Sequence, residues 1–385
     1  MPPVFSESLS HDAARRFAVK VSELYDSTMQ LPINPPVLPM LAKRVSALPE
    51  NGLWLFEPKW DGFRALIFRD GDEVLIQSRD TKPLNRYFPE LIEPLKKQLP
   101  KRCVLDGEVV LARDGALDFD ALQLRIHPAA SRVKMLSEQM PASIVFFDLL
   151  AEQNRDLTSA AFESRRAQME KMLSSALPPI HITPITASLD IAADWFRRFE
   201  GAGLDGVVAK PTNGTYEPNK RVMLKVKHER DCDCVVAGFR WHKKGERNAI
   251  GSLLLGLFDN SRQLHHVGVC ASFTDKKRSE LVEFLEPYRK DALKNHPWKD
   301  WASAELEGDR RVPGAQSRWS QGKDMTWEPL RTELVVEVAY DHMQGSRFRH
   351  TAQFRRWRYD KSPADCTYEQ LEVVPPQEIS EIFGK

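Results

Sequence analysis

The sequence predicts an α+β chain in two parts: antiparallel sheets with helices over residues 1–228, then a small β-barrel over 229–385. Three observations carry this. Short apolar or alternating runs of strand length recur along the chain. Before about residue 228 they are interleaved with segments of helical spacing, whereas beyond Asp231 they are separated by turn clusters and interrupted by one helix. The length, 385 residues, makes two domains the natural count.

The elements follow in order. Ser10 to Met29 reads as a helix of mixed polarity. "QLPINPPVLPMLAK" breaks it with four prolines and reads as an ordered, extended lead-in. "ALIFRDGDEVLIQSRD" is a hairpin turning at Asp70-Gly71-Asp72. "NRYFPELIEPLKKQL" has helical spacing, with prolines marking ends or kinks. "CVLDGEVVLA" and "ASIVFFDLLA" are apolar runs of buried-strand length. "ESRRAQMEKMLSSAL" and "IAADWFRRFEGAG" are helices, the second ending on a glycine stop. "LDGVVAKP" and "VMLKVKH" are strands again. In the second part, "CDCVVAGFRW", "GSLLLGLFD", "LHHVGVCAS", "LVVEVAYD" and "FRRWRYD" are strands and "DKKRSELVEFLEPYRK" is a helix, a set that fits a small barrel such as an OB-fold.

Bulk properties exclude more than they identify. Hydrophobic residues are 42% and charged residues 28%, an ordinary soluble balance. Net charge is +1, so any nucleic-acid contact must come from local patches. No stretch reaches membrane-spanning length and the start lacks an apolar leader core, so the expectation is a cytoplasmic protein without membrane contact. Five scattered cysteines form no disulfide framework, and "DCDC" at 231–234 reads as small buried strand residues.

Lys59 stands directly after an apolar run and Pro58, and is followed by Asp61 and Gly62. A lysine there is either a surface charge or a nucleophile. To be a nucleophile it must shed a proton, which desolvation and nearby cations favour. Lys-x-Asp-Gly alone is a weak signal, so the other polar clusters decide. Asp106-Gly107-Glu108 places two acids in an apolar strand, Asp148 follows Phe146-Phe147, and Asp205-Gly206 precedes "VVAK". Lys225 and Lys227 share one strand face and repel unless an anion lies between them. Phosphate for the lysines, a divalent metal for the acids and a base stacked on a strand phenylalanine together describe a nucleoside triphosphate site.

In order along the chain, "EPKWDGFR", "SRD", "LDGEVV", "VFFDLL", "LDGVVAK", "LKVK" and "RWRYDK" resemble the motifs of the ATP-dependent DNA ligases, within the covalent nucleotidyltransferases that include RNA ligases and capping enzymes. The lead-in "PPVLPMLAK" and short two-domain layout look most like the bacterial ligase C group. The resemblance implies a nucleotidyltransferase (adenylation) domain followed by an OB-fold, and a role for each matching residue. Lys59 would take AMP as a phosphoramidate. Glu57 would lie at the adenine, and Phe147 would stack on it. Asp61 and Glu108 would contact ribose or support metal. Arg64 would read the ribose or the nick phosphate, and Arg79 would hold phosphate. Asp205, with Glu108, would bind metal. Lys210, Lys225 and Lys227 would neutralise phosphates. Arg358, Asp360 and Lys361 would orient the pyrophosphate leaving group, which asks the barrel to swing about His228–Asp231.

The resemblance further implies ATP as substrate, Mg²⁺ (or Mn²⁺) as cofactor, and nicked duplex DNA as partner to a monomeric repair enzyme, with a repair polymerase or end-binding protein alongside. Two positions depart from the family pattern: Asp205 replaces the usual Glu, and Met223 replaces the usual Trp. The basic, aromatic stretches 239–248 and 345–361 are candidate DNA contacts, as are Arg15, Arg16 and Lys20. Rival readings are an RNA ligase, a GTP-dependent capping guanylyltransferase and a non-catalytic OB-fold binder, the last leaving Lys59, Glu108 and Asp205 without a purpose. No four-cysteine zinc site suggests an NAD-dependent ligase.

Overall fold

The computed structural model describes residues 29–243, 247–300 and 326–371. The helix expected from Ser10, with Arg15, Arg16 and Lys20, lies almost wholly outside the described residues. The chain divides into two compact units with the boundary between Lys227 and His228.

The first unit holds two main sheets. One runs edge to edge through Leu41–Val45, Arg221–Val226, Val207–Pro211 and Trp54–Pro58. The other runs through Ile180–Ile182, Ser143–Glu152, Arg102–Val110, Phe63–Asp70 and Glu73–Ser78. The expectation of antiparallel sheets needs correcting at two edges. Leu41–Val45 pairs in parallel with Arg221–Val226, and Ile180–Ile182 pairs in parallel with Ser143–Glu152. Both edge strands arrive by long connections, which free their direction, whereas the hairpin strands are obliged to reverse.

The centre of Phe63–Asp70, Ala65–Phe68, is apolar without alternation because it is covered on both faces. Ala65 and Ile67 join Phe88, Leu91, Leu95 and Phe146 in one core. Leu66 and Phe68 join Met40, Tyr216 and Met223 in another, which packs the two sheets together. The helix Pro89–Gln98 starts on a proline at its first position, where no N–H is needed, and tolerates Pro94 inside. The lead-in is ordered by Gln77, fully buried, whose side chain accepts from Val37 N (3.0 Å) and donates to Val37 O (2.6 Å).

The second unit is an antiparallel sheet ordered Leu264–Cys270, Ile250–Phe258, Arg230–Trp241, Val335–Tyr340, Gln353–Trp357. Its two outer strands are linked by a bridge between Cys270 and Ala352, so the sheet curls toward itself. The helix Asp275–Arg289 is capped by Thr274, whose hydroxyl accepts from Lys277 N. All five cysteines are buried free thiols, and no three His, Cys, Asp or Glu side chains gather in metal-binding geometry among the described residues.

Candidate active site

Lys59 sits one residue past the end of the edge strand Trp54–Pro58, where Pro58 costs the sheet no hydrogen bond on its open side. Its main chain is locked to the loop before Val207–Pro211: Lys59 N donates to Gly206 O (2.8 Å) and Asp205 N donates to Lys59 O (2.9 Å). This close crossing requires glycine twice. Gly206 has φ +125° and a Cβ there would lie 2.0 Å from Val226 O; at Gly62 a Cβ would lie 2.1 Å from Val109 O. The Lys-x-Asp-Gly spacing is therefore a steric device that lays the lysine loop against the strand carrying Glu108.

The consequence is a tight charge cluster. Lys59 Nζ is 2.6 Å and Lys227 Nζ 2.7 Å from the same oxygen of Asp205. The anion that the paired strand lysines call for is thus, for Lys227, a carboxylate of the protein itself. Burial penalises the charged Lys59, but Asp205, with Asp61 and Glu108 behind it, outweighs burial and holds the lysine above its ordinary pKa. The sequence reading of a lysine depressed by neighbouring cations does not hold for Lys59, whose nearest charges are acids. The lysine that neighbouring lysines depress is Lys225, pushed down to about 8 by burial and then by Lys59 and Lys227. Asp205 lies well below the usual carboxylate range: burial opposes this, but the two lysines prevail. Glu108 is pushed up to about 7, by burial above all, against the pull of Arg64 and Lys59.

One cleft collects most of the expected residues. Glu57, Lys59, Arg64, Arg79, Glu108, Phe147, Lys210 and Lys225 line it, with Met40 and Met223 among its apolar walls. Asp205 joins it through its ion pair with Lys59, Lys227 through its own pair with Asp205, and Asp61 acts on Lys59 by its charge. At its inner end Glu57 is 3% exposed and bonded to Lys210 (2.8 Å) and Arg166 (3.4 Å). Burial raises the Glu57 pKa despite both cations and lowers that of Lys210. Lys210 also donates to Phe147 O (2.9 Å) and stands 4.7 Å from the Phe147 ring centre. Its charge is therefore held at the ring end of the cleft, and Lys225 and Arg79 are the cations at the open end.

Arg64 is fixed by a bidentate pair with the fully buried Asp106, both bonds 2.6 Å, and its guanidinium lies 4.5 Å from the Phe147 ring centre. Tyr216 completes the group: its hydroxyl donates to Asp106 (2.6 Å) and accepts from Met40 N (3.1 Å), pinning the lead-in beside the cleft. Asp148 is likewise consumed, by a bidentate pair with Arg165 (2.8 and 2.9 Å). Two of the strand acids that suggested a metal are thus tied to arginines. Among the acids singled out at these strands, Glu108 and Asp205 are left to face the cleft region.

Sequence reasoning singled out Asp106 as an acid for a metal and not as the partner of Arg64, and it missed Tyr216, Arg165 and Arg166. The available signal was the Arg165-Arg166 pair on the same helix face as Phe162 and Met169, since a buried tandem arginine demands buried acids. Arg358, Asp360 and Lys361 belong to the second unit, where Arg358 and Lys361 pair with Asp233, a residue read only as part of a buried strand, and Asp360 pairs with Arg358. The basic stretch 345–361 is largely neutralised from within: Arg355 pairs with Glu229 and Asp231, Arg356 with Glu337, and Lys361 with Asp233. Stretch 239–248 falls partly outside the described residues.

Known proteins resemble the chain along nearly its whole length. The family described as ATP dependent DNA ligase domain matches residues 39–227, and that described as ATP dependent DNA ligase C terminal region matches 246–361. A protein named DNA ligase C2 from Mycolicibacterium smegmatis is 53% identical over 350 residues, covering 90% of this chain and 97% of that protein. One named DNA ligase C from Mycobacterium tuberculosis is 52% identical over 359 residues, covering 92% and 99%. A solved Lig E DNA ligase structure aligns with TM-score 0.50 at 16% identity, over 84% of this chain and all (100%) of that one, a likeness of fold alone. Neither the guanylyltransferase reading nor the non-catalytic one survives these matches. The chain belongs to the ATP-dependent DNA ligases, within the bacterial ligase C group.

Proposed function

We propose that Lys59 is the residue that carries AMP while this ligase seals nicks, and that the observation behind it is the locked crossing of the Lys59 and Asp205 loops. In the first step the neutral Lys59 amine attacks the α-phosphorus of ATP. A P–N bond forms, the bond to pyrophosphate breaks, and the amine proton leaves. In the second, a DNA 5′-phosphate oxygen takes AMP from the lysine. In the third, the adjacent 3′-hydroxyl attacks that phosphorus and expels AMP.

The remaining residues orient and neutralise. Phe147, Glu57 and Lys210 form the end that receives the base. Arg64, held by Asp106, faces the ribose or the nick phosphate. Lys225, Lys227 and Arg79 offset phosphate charge, and Asp61 supports Lys59 from the following turn. Arg358, Asp360 and Lys361 act on the pyrophosphate in step one. Asp205 and Glu108 supply two hard oxygen donors, the number Mg²⁺ or Mn²⁺ takes when substrate phosphates complete its shell. Such an ion supplies positive charge to the phosphates. Lys59 must lose its proton to react, and Asp205 disfavours that loss in the ligand-free site. Nick sealing fits a monomeric, cytoplasmic repair enzyme, to which a repair polymerase or DNA-end-binding protein would deliver its substrate.

The test follows label through the cycle. Enzyme incubated with α-labelled ATP is expected to become labelled, pass the label to the 5′ end of nicked duplex DNA, and release it as AMP on sealing. GTP is expected to give no labelled enzyme. Because the reactive amine is held above its ordinary pKa, labelling should accelerate as pH rises, by up to about tenfold per unit while Lys59 stays mostly protonated. Label that never reaches DNA, or a rate that falls with rising pH from 6 to 8, would contradict the reading.

A further inference from the structure

The second unit contains an acid that the ligase motifs do not include. Asp233, 6% exposed, lies in the strand Arg230–Trp241 directly opposite Glu337 of Val335–Tyr340. Two carboxylates facing each other across a sheet repel, and the pairing is stable only with a cation between them. Arg358 is that cation. Its Nη1 donates to both Asp233 oxygens (3.0 and 3.1 Å) and to Glu337 (3.2 Å). Its Nε and Nη2 donate to Asp360 (3.0 and 2.9 Å), and its main-chain N–H donates to Val335 O (2.9 Å).

Every guanidinium nitrogen of Arg358 is therefore engaged by a carboxylate. Of its five N–H groups one on Nη2 is left over, so a phosphate oxygen can reach Arg358 through a single proton unless it displaces one of three acids. Lys361 differs: its ammonium has Asp233 at 3.3 Å, and its side chain is 30% exposed. An ammonium has three protons, so Lys361 can keep Asp233 and still meet a phosphate oxygen. Asp233 itself is held rigidly. Its N–H donates to the Gln370 side-chain oxygen (2.7 Å), and its carbonyl accepts from the Gln370 amide nitrogen (2.9 Å). A buried, main-chain-clamped acid shared by the two cations of one motif has the geometry of a seat.

We propose that Asp233 is a positioning residue for the first chemical step, using Arg358 as a fixed brace and setting Lys361 as the cation presented to the departing pyrophosphate. This rests on the reading that the Arg358–Lys361 motif acts in step one. It adds a residue to that reading and divides labour within it: Arg358 orients, and Lys361 touches the phosphate.

The test is a cycle of Asp233→Asn, Lys361→Ala and the double variant, each scored in two assays: labelling of the enzyme by ATP, and sealing of a nick already carrying AMP on its 5′-phosphate, which bypasses step one. Misplaced catalytic groups cost rate steeply, so Asp233→Asn is expected to slow labelling by about ten- to a hundredfold. It should leave sealing of the pre-adenylylated nick within about twofold, which a merely structural lesion in this unit would not do. The double variant should be no slower in labelling than Lys361→Ala alone, because Asp233 acts through Lys361. Equal losses in both assays, or an effect that multiplies with that of Lys361→Ala, overturn the proposal. Labelling untouched by Lys361→Ala removes the underlying motif reading, and the proposal falls with it; a selective effect of Lys361→Ala with none from Asp233→Asn rejects the Asp233 role alone. Should Asp233→Asn fail to fold, Asp233→Glu, which keeps the charge but moves it by a methylene, enters the same cycle under the same criteria.

Discussion

Lys59→Arg is expected to fold as the wild type does and to accept no AMP. Arginine preserves a cation for Asp205, so the crossing of the two loops keeps its ion pair. It cannot lose its proton in a protein, so it offers no lone pair to phosphorus. Labelling should fall below about a thousandth of the wild-type rate, the scale on which loss of a covalent nucleophile is felt. Lys59→Ala should give the same chemical loss with a different side effect. It leaves Lys227 as the sole ammonium on Asp205, loosening the hold on that carboxylate. Both variants should still close a nick that already carries AMP, because the lysine has then done its work. If Lys59→Arg is labelled at even a tenth of the normal rate, another residue is the acceptor.

Asp148→Ala is expected to be the most damaging single change to stability in the first unit. Asp148 and Arg165 are each 1% exposed and meet through two hydrogen bonds. Removing the acid strands a guanidinium charge in the core, which costs about 3–5 kcal/mol. Urea unfolding should show a lower midpoint with an unchanged slope. Adding Arg165→Leu should recover only part of the loss, because Arg165 also donates to the carbonyls of Ala160 and Gly214, which would then lie without a donor. The pair bears on function through its neighbour: Asp148 follows Phe147, so its tether holds the strand segment that presents the ring to the cleft. A loss below about 1 kcal/mol would mean that the arginine finds water or another acceptor and that the pair is not a keystone.

Strands and helices were legible because their patterns are local. Within Phe63–Asp70 the segment Ala65–Phe68 is apolar without a break, as a strand buried on both faces requires. Lys59, Asp205 and Gly206 were legible because chemistry and sterics restrict residue type at those points. The buried polar partners were not. Asp106 finds Tyr216 across 110 residues, Glu57 finds Arg166 across 109, and Arg358 finds Asp233 across 125. A sequence shows that each group needs a partner but not which one it meets, because the pairing is decided by how the sheets stack. The parallel edge strands escaped for a related reason: direction at an edge follows from the path of the connection, not from the strand's own residues. The protonation of Lys59 was misread because the nearest charge proved to be an acid from a distant loop.

Lys59 and Lys225 now make opposite claims on the nucleotide. Burial and the neighbouring lysines push Lys225 down to about 8, whereas the locked loop and the motif single out Lys59. Mass spectrometry of peptides from wild-type enzyme incubated with ATP in the absence of DNA, then denatured and digested at mildly alkaline pH where a phosphoramidate survives, decides between them. The account predicts one AMP per chain, attached at Lys59. An adduct on Lys225, Lys227 or Lys210 with Lys59 unmodified would contradict it.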